Sequence, residues 1–361
     1  MWIPTRGAAL LLNDPAVRQP RLRVLVDGTV LAGVMAATVE SNNHFAADRF
    51  HVAVALGADP VRSVAFWADA ANVTVEVQVA LDGTSWVSLI DGTVDQLEID
   101  PLVGCLDLSG RDQSTVLIEA RTQETFANRT SSEIAAILAA RHGLSSDIQA
   151  TTTPVGRFWQ LEHDQTTLDQ FSHTTTEWDL LVALAEHESF NLWVSGGALH
   201  FRAPEQTAAP ETVLRSSDLI SLRLERALAL AQGVKVTVKS WHSRQGVMVC
   251  ESASTTQGSG GTTTNYVYVI PNLTPDAAQQ LAERRLAELT QHERVLVAEM
   301  PGELDLTPRT VLRLEGTGTA FDQSYRIDEI ERRLHAVHGF TQCVRARAAS
   351  TASVVSVGAN A

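Results

Sequence analysis

Apolar residues recur at every second position through much of the chain. In VTVEVQVALDGTSW, Val73, Val75, Val77 and Val79 fall on one side while Thr74, Glu76 and Gln78 fall on the other. That is the period of a half-buried strand. The preceding run RLRVLVDGTVLAGV predicts a strand that turns at Asp27-Gly28, and Asp82-Gly83 and Asp91-Gly92 repeat the dipeptide. Asp-Gly suits hairpin turns, whose two central residues need positive φ. Several short strands with such turns predict a barrel or a sandwich.

The period changes near residue 127. In NRTSSEIAAILAARHGL, Thr130 and Glu133 form a capping box, Ile134, Ile137 and Leu138 make a buried stripe, and Gly143 stops the helix. A second helix is expected from Thr176, with Trp178, Leu181 and Ala185 on one face and the run Glu186-His187-Glu188 at its end. A hairpin turning at Ser195-Gly196-Gly197 follows. Strand alternation resumes in GVKVTVKSW, where Val234, Val236 and Val238 oppose Lys235, Thr237 and Lys239. TTQGSGGTTTN reads as a flexible loop, because Gly, Ser and Thr cannot build a core. Thr274 and Pro275 start one more helix, packed through Leu281, Leu286 and Leu289. Strands are expected at RVLVAEMP, TVLRLEG, SYRIDEIERRL and GFTQCVRARA, and the tail from Ala348 is small and polar, ordered only by a partner if at all.

The fold class is therefore α+β, mainly β: two antiparallel β-barrel domains with a small α+β insert between them. The boundaries are 1–126 for the first barrel, 127–206 for the insert, 207–347 for the second barrel and 348–361 for a flexible tail. No strict short repeat is visible, which argues against solenoids and propellers.

Composition narrows the function. Of the 361 residues 44% are hydrophobic and 19% charged, as in a folded globular chain. Lys and Arg number 28 against 42 Asp and Glu, a formal charge of −14 that disfavours nucleic-acid binding. Cys105, Cys250 and Cys343 are far apart and odd in number, which fits a reducing compartment better than a disulfide framework. The apolar run Ala8–Leu12 is too short for a signal peptide, and no stretch approaches a membrane span, so synthesis in the cytoplasm is expected.

Candidate chemistry is sparse. His163, Asp164, Asp169, His173, Glu177 and Asp179 cluster in sequence without a metal-ligand spacing and read as a solvated connection into a helix N-terminus, where the acidic Glu177 and Asp179 suit the first turn. His335 and His338 fall in an expected hairpin turn. There is no GxSxG nucleophile and no phosphate-binding glycine loop with its lysine. Trp67, Trp86, Trp159, Trp178, Trp193 and Trp241 are scattered and read as core rather than as a sugar-stacking face. No catalytic residue, metal site or cofactor is assigned. The Gly/Thr-rich loop at 254–265 is the candidate interaction segment, with Ser254, Thr255, Gln257, Ser259, Thr262, Thr264 and Asn265 as its contact residues.

Two stretches carry a resemblance. One runs through Ser109-Gly110-Arg111-Asp112 to the TSSEI helix ending at His142-Gly143-Leu144. The other follows the order helix, strand ending in Pro301-Gly302, V-x-L-x-G strand and Y-x-I-x-x-I strand. With the WDLL helix at Trp178–Ala185 and the hairpin at Gly196–Phe201 between them, the chain over roughly residues 20 to 347 resembles the tail baseplate hub proteins of contractile phages, the late control protein D family. The resemblance implies a structural protein and not an enzyme: a homotrimer in the virion tail baseplate, in which two barrels per subunit imitate six tail-tube subunits. Its implied partners are the tail tube protein and the central spike protein, with tape-measure and baseplate wedge proteins as further contacts and DNA only as passing cargo. Related type VI secretion spike proteins fuse the hub to a needle, so a separate spike is expected here. Alternatives are the hub of a tailocin, gene transfer agent or other contractile injection particle, or, in a different class, a tail-associated cell-wall hydrolase or carbohydrate-binding component.

Overall fold

The computed structural model describes residues 18–155, 157–159, 164–166, 175–204, 212–231, 233–242, 246–255, 263–271, 273–349 and 354–357. The largest sheet is continuous and has thirteen strands. It is built from two six-stranded units joined edge to edge, with the two-residue strand Thr29–Val30 added beside Arg21–Val26 as the thirteenth.

The first unit contains, in chain order, strands Arg21–Val26, Val34–Asn42, Arg49–Ala55, Thr74–Ala80, Val87–Asp100 and Cys105–Asp112. Across the sheet they lie in the order first, fourth, fifth, sixth, third, second. The second unit contains Thr212–Arg215, Ser221–Arg226, Arg294–Pro301, Val311–Glu315, Ser324–His335 and Gly339–Ala348, laid out in the same order. Neighbours within the units are antiparallel, except that Thr212–Arg215 runs parallel to Val311–Glu315. Each unit has its own core. Val24, Val39, Phe50, Val52, Val75, Val77, Leu106 and Leu108 fill the first. Leu214, Leu296, Met300, Leu312, Tyr325, Ile327 and Val344 fill the second. Full burial of one such side chain stabilises by roughly 1.5–3 kcal/mol, so each core supplies a large apolar driving force.

The likeness of the units extends to single residues. The Val87–Asp100 strand has a bulge at Asp95, and the Ser324–His335 strand has one at Asp328. In the first, Arg111 from the next strand clasps Asp95 with Nε–Oδ2 at 2.6 Å and Nη2–Oδ1 at 2.8 Å. In the second, Arg347 Nε lies 3.1 Å from Asp328 Oδ1, an ion-pair distance without an aligned hydrogen bond. Just before each bulge the strand pairs with the unit's fourth strand, through Thr93↔Thr74 and Arg326↔Val311.

The units meet where Ser324–His335, past its bulge, pairs antiparallel with Val34–Asn42 from Glu329↔Asn42 to His335↔Ala36. A small apolar cluster of Val79, Leu334 and Phe340 lies beside this seam. The segment between the units folds on its own core of Leu117, Ile134, Leu138, Trp178, Leu181, Leu192 and Phe201. Its helix Ser131–Arg141 carries the Thr130/Glu133 capping box, and Glu177–Glu188 carries a second box from Thr176 and Asp179. Inside the second unit, between its second and third strands, helix Pro275–Gln291 packs through Ala278, Ala282 and Leu286 on a four-stranded sheet that includes Val234–His242 and Val247–Thr255.

Several expectations are corrected. Asp91-Gly92 is not a turn but lies within the Val87–Asp100 strand, where a Cβ on Gly92 would come 2.0 Å from the Arg111 carbonyl oxygen. Glycine is there for close approach. Ile137 is exposed rather than part of the buried stripe. Part of the tail is strand, since Val354–Val357 pairs with Val247–Thr255.

Candidate functional site

The chain from Asn42 to Asp48, linking the second and third strands of the first unit, is where three bodies meet. Asn42 N–H donates to Asp48 Oδ1 at 2.9 Å, and Asn42 Oδ1 accepts from His44 N–H at 2.9 Å, which closes the loop on itself. Asp48 N–H then donates to Asp112 Oδ2 at 3.2 Å within the first unit. Asn43 N–H donates to the Asp328 carbonyl of the second unit at 2.8 Å. Phe45 adopts a positive φ of 55° and packs on the core of the insert, while its carbonyl accepts from Trp178 Nε1 at 2.7 Å.

Charge is concentrated at this joint. Burial, followed by the neighbouring Asp112 charge, pushes the Asp48 carboxyl up to about 7. Burial also raises Asp112, against hydrogen bonds from Ser114. From the second unit, Arg309 and Arg332 feel the Asp48 charge, yet burial pulls each guanidinium down to about 10. Arg332 donates to the carbonyls of Glu303 and Leu306. Arg309, held at φ 85°, lays its guanidinium 4.1 Å from the ring centroid of Trp193 in the insert. Buried charges set against each other and against carbonyls fix a geometry more than they add stability.

The acidic cluster read from the sequence divides. His163, Asp169 and His173 lie outside the described residues, and Asp164 starts a short strand, Asp164–Thr166. Glu177 is not a solvated helix start: it is 3% exposed and takes Arg141 Nη1 at 2.5 Å and His142 Nε2 at 2.6 Å. Asp179 caps its helix. Among the described residues, no group of three or more His, Cys, Asp and Glu could hold a metal ion. His335 and His338 sit at the tip between Ser324–His335 and Gly339–Ala348.

Of the interaction segment, Gln257, Ser259 and Thr262 lie outside the described residues. Ser254 and Thr255 end one strand, and Thr264 and Asn265 begin another, so the loop is shorter than 254–265. The structure brings these four close, because both strands flank Val234–His242, with Lys235 paired to Ser254 and to Asn265. Trp67 and Trp178 are core residues, but Trp241 is 56% exposed beside Met248 on this same sheet.

One array was missed from sequence. Ser195 Oγ lies 3.0 Å from His200 Nε2, and His200 Nδ1 lies 2.7 Å from Asp147 Oδ2. Trp193 stacks flat on His200 at 4.4 Å and donates its Nε1–H to Ser195 Oγ, and Arg202 also reaches Asp147. The Asp147 strand enters the sheet by a parallel pairing far along the chain, which no local spacing announces.

The fold is that of phage tail proteins. The tail protein of Neisseria meningitidis MC58 is 16% identical, with a TM-score of 0.71 over 91% of this chain and 97% of that one. The 43 kDa tail protein of prophage MuSo2 from Shewanella oneidensis is 15% identical, with a TM-score of 0.67 over 90% and 97%. An E. coli component of the type VI secretion system, described as similar to the T4 tail proteins gp27 and gp5, is 9% identical, with a TM-score of 0.56 over 91% and 77%. No curated protein matches the sequence. The family model described as the Alg8 N-terminal domain matches residues 88–335, more than half of the chain, and the chain belongs to that family.

Proposed function

We propose that the protein is the structural baseplate hub of a contractile tail, a homotrimer that adapts a six-fold tail tube to a three-fold central spike. The observation that carries this reading is the repeat of one strand order in both six-stranded units, down to the Asp95 and Asp328 bulges. Three chains with two like units each present six like positions, which a closed ring needs in order to meet a six-fold partner. The buried joint at Asp48, Asp112, Arg309 and Arg332 holds the two units at one angle, as an adaptor requires.

The domains of this reading are 1–126, 127–206, 207–347 and the tail 348–361, with the middle unit drawing Leu117 and Phe126 into its core. The protein acts mechanically and not as an enzyme. Its partners are the tube and spike proteins, with tape-measure and wedge proteins beside them, in the baseplate of a virion or a related injection particle such as a tailocin or gene transfer agent. DNA passes through as cargo past an acidic chain of charge −14. The ends of the 254–265 segment, beside exposed Trp241, are the proposed partner contact.

Native mass of the purified protein, alone and with tube and spike proteins, tests the reading. A trimer supports it. A monomer that joins neither partner contradicts it.

The Ser195–His200–Asp147 array favours a second reading, a hydrolase acting on cell-wall material, because it has the order of nucleophile, base and orienting carboxylate. Lysis on a peptidoglycan gel that disappears in Ser195→Ala would establish it; no lysis by the wild type would remove it.

A further inference from the structure

The internal seam shows which strand edges would join one copy of the chain to the next. At the seam, the fifth strand of the second unit passes its bulge at Asp328 and takes the second strand of the first unit as neighbour, through Ile330↔Ser41, Glu331↔Glu40, Arg332↔Val39 and Arg333↔Thr38. The fifth strand of the first unit passes its own bulge at Asp95 and continues to Asp100. Among the described residues, nothing pairs with its outer edge there. Likewise the second strand of the second unit, Ser221–Arg226, pairs only with Arg294–Pro301 and ends the sheet.

These two open edges are the counterparts of the two that meet inside the chain. Aligning the bulges sets Leu97, Glu98, Ile99 and Asp100 against Ile330, Glu331, Arg332 and Arg333. Aligning the third strands, whose pairings run in step through Phe50↔Gly110 and Leu296↔Ala346, sets Thr38, Val39, Glu40 and Ser41 against Arg223, Leu224, Glu225 and Arg226. Burial follows the pairing. Ala37, Val39 and Ile330, at the closed seam, are buried, whereas Leu222, Leu224 and Leu97, at the open edges, are only half-buried. An open strand edge is a template for pairing.

We infer that neighbouring copies join by antiparallel pairing of residues 97–100 of one with residues 223–226 of the next, in the register Leu97↔Arg226, Glu98↔Glu225, Ile99↔Leu224 and Asp100↔Arg223. This rests on the ring reading above and names its contact. The pairing sets apolar Ile99 against Leu224 and opposite charges at Asp100 and Arg223. It also faces Glu98 with Glu225, as Glu331 already faces Glu40 at the internal seam. The contact is head to tail, so it closes only as a ring.

Paired cysteines test the register. In a chain whose Cys105, Cys250 and Cys343 are serine, Glu98→Cys with Glu225→Cys places directly opposed residues about 4.5–5.5 Å apart at Cα, within reach of a disulfide. Oxidation then gives an intermolecular ladder that ends at the closed ring, and Glu98→Cys with Arg223→Cys, two residues out of register, gives none. In the native-cysteine background, Glu98→Lys removes a like-charge pair and tightens self-association about 2- to 5-fold. A ring of the proposed mass without the first cross-link, or loosened by Glu98→Lys, overturns this pairing and leaves the hub reading intact. A protein that stays monomeric by mass overturns both.

Discussion

Trp178 Nε1 donates a 2.7 Å hydrogen bond to the carbonyl of Phe45, which ties the insert to the first unit beside the packing of the Phe45 ring on the insert's core. Phe45 holds a left-handed φ of 55°, a conformation that a bulky residue keeps only when its surroundings fix it. Trp178→Phe keeps an aromatic ring but leaves the carbonyl without its donor, at a cost of about 1–3 kcal/mol. Trp241→Phe, at a residue 56% exposed, should change stability by less than about 0.5 kcal/mol. Denaturant unfolding of both variants measures the difference.

Asp48 makes stability depend on pH. Its carboxyl stands at about 7 in the fold against 3.8 for the free group, so the folded state holds the proton more tightly than the unfolded one. The stability this provides is complete below the unfolded value and is lost as pH rises through about 7. At roughly 1.4 kcal/mol per pKa unit, the decline is on the order of a few kcal/mol. Asp48→Asn, which can still accept from the Asn42 amide, should flatten the decline and exceed the wild type in stability at pH 8. Unfolding curves at pH 5 and pH 8 decide it, and an unchanged slope counts against a buried, proton-holding Asp48.

Glu177 carries two partners in a nearly closed site. Glu177→Gln leaves Arg141 and His142 facing a neutral amide and should cost about 1–3 kcal/mol. Glu119, 65% exposed at its side chain and 2.9 Å from Arg111, is the contrast. Glu119→Gln should cost under about 0.5 kcal/mol, because exposed ion pairs contribute little. Thermal unfolding of the pair reads the contrast directly.

What the sequence could reveal was what local periodicity carries. The strand with Val73, Val75, Val77 and Val79 inside, the Thr130/Glu133 capping box and the Gly196-Gly197 hairpin all depend on residues within a few positions of one another. Two β domains were legible, but which residue of one answers to which of the other was not, because like positions hold unlike residues: Ile99 answers to Arg332, and Gly92 to Tyr325. Only the strand order and the Asp95 and Asp328 bulges preserve the correspondence, and these appear once distant strands are paired. The joint at Asp48 was hidden for the same reason, since Asp112 and Arg309 reach it from far along the chain. Glu177 was misplaced because a helix start is usually solvated, and its partners Arg141 and His142 come from another helix end.

Gly92 is a residue that the Asp-Gly turn dipeptide assigns to the wrong role. Its absent Cβ lets the Arg111 backbone approach, so Gly92→Ala must push two strands apart. A loss of more than about 2 kcal/mol is expected from such overpacking, read as a lowered unfolding midpoint. An unchanged midpoint would contradict the close approach.

In the proposed hub each chain supplies two equivalent positions to one ring. Electron-microscope averages of the assembled ring, viewed down its axis, test it most directly. The proposed ring gives a strong six-fold harmonic in projection that resolves into three-fold symmetry as detail increases, with six like barrels around a channel. A particle with two-fold symmetry, or a three-fold ring whose two barrels per chain lie at unlike radii, would contradict it.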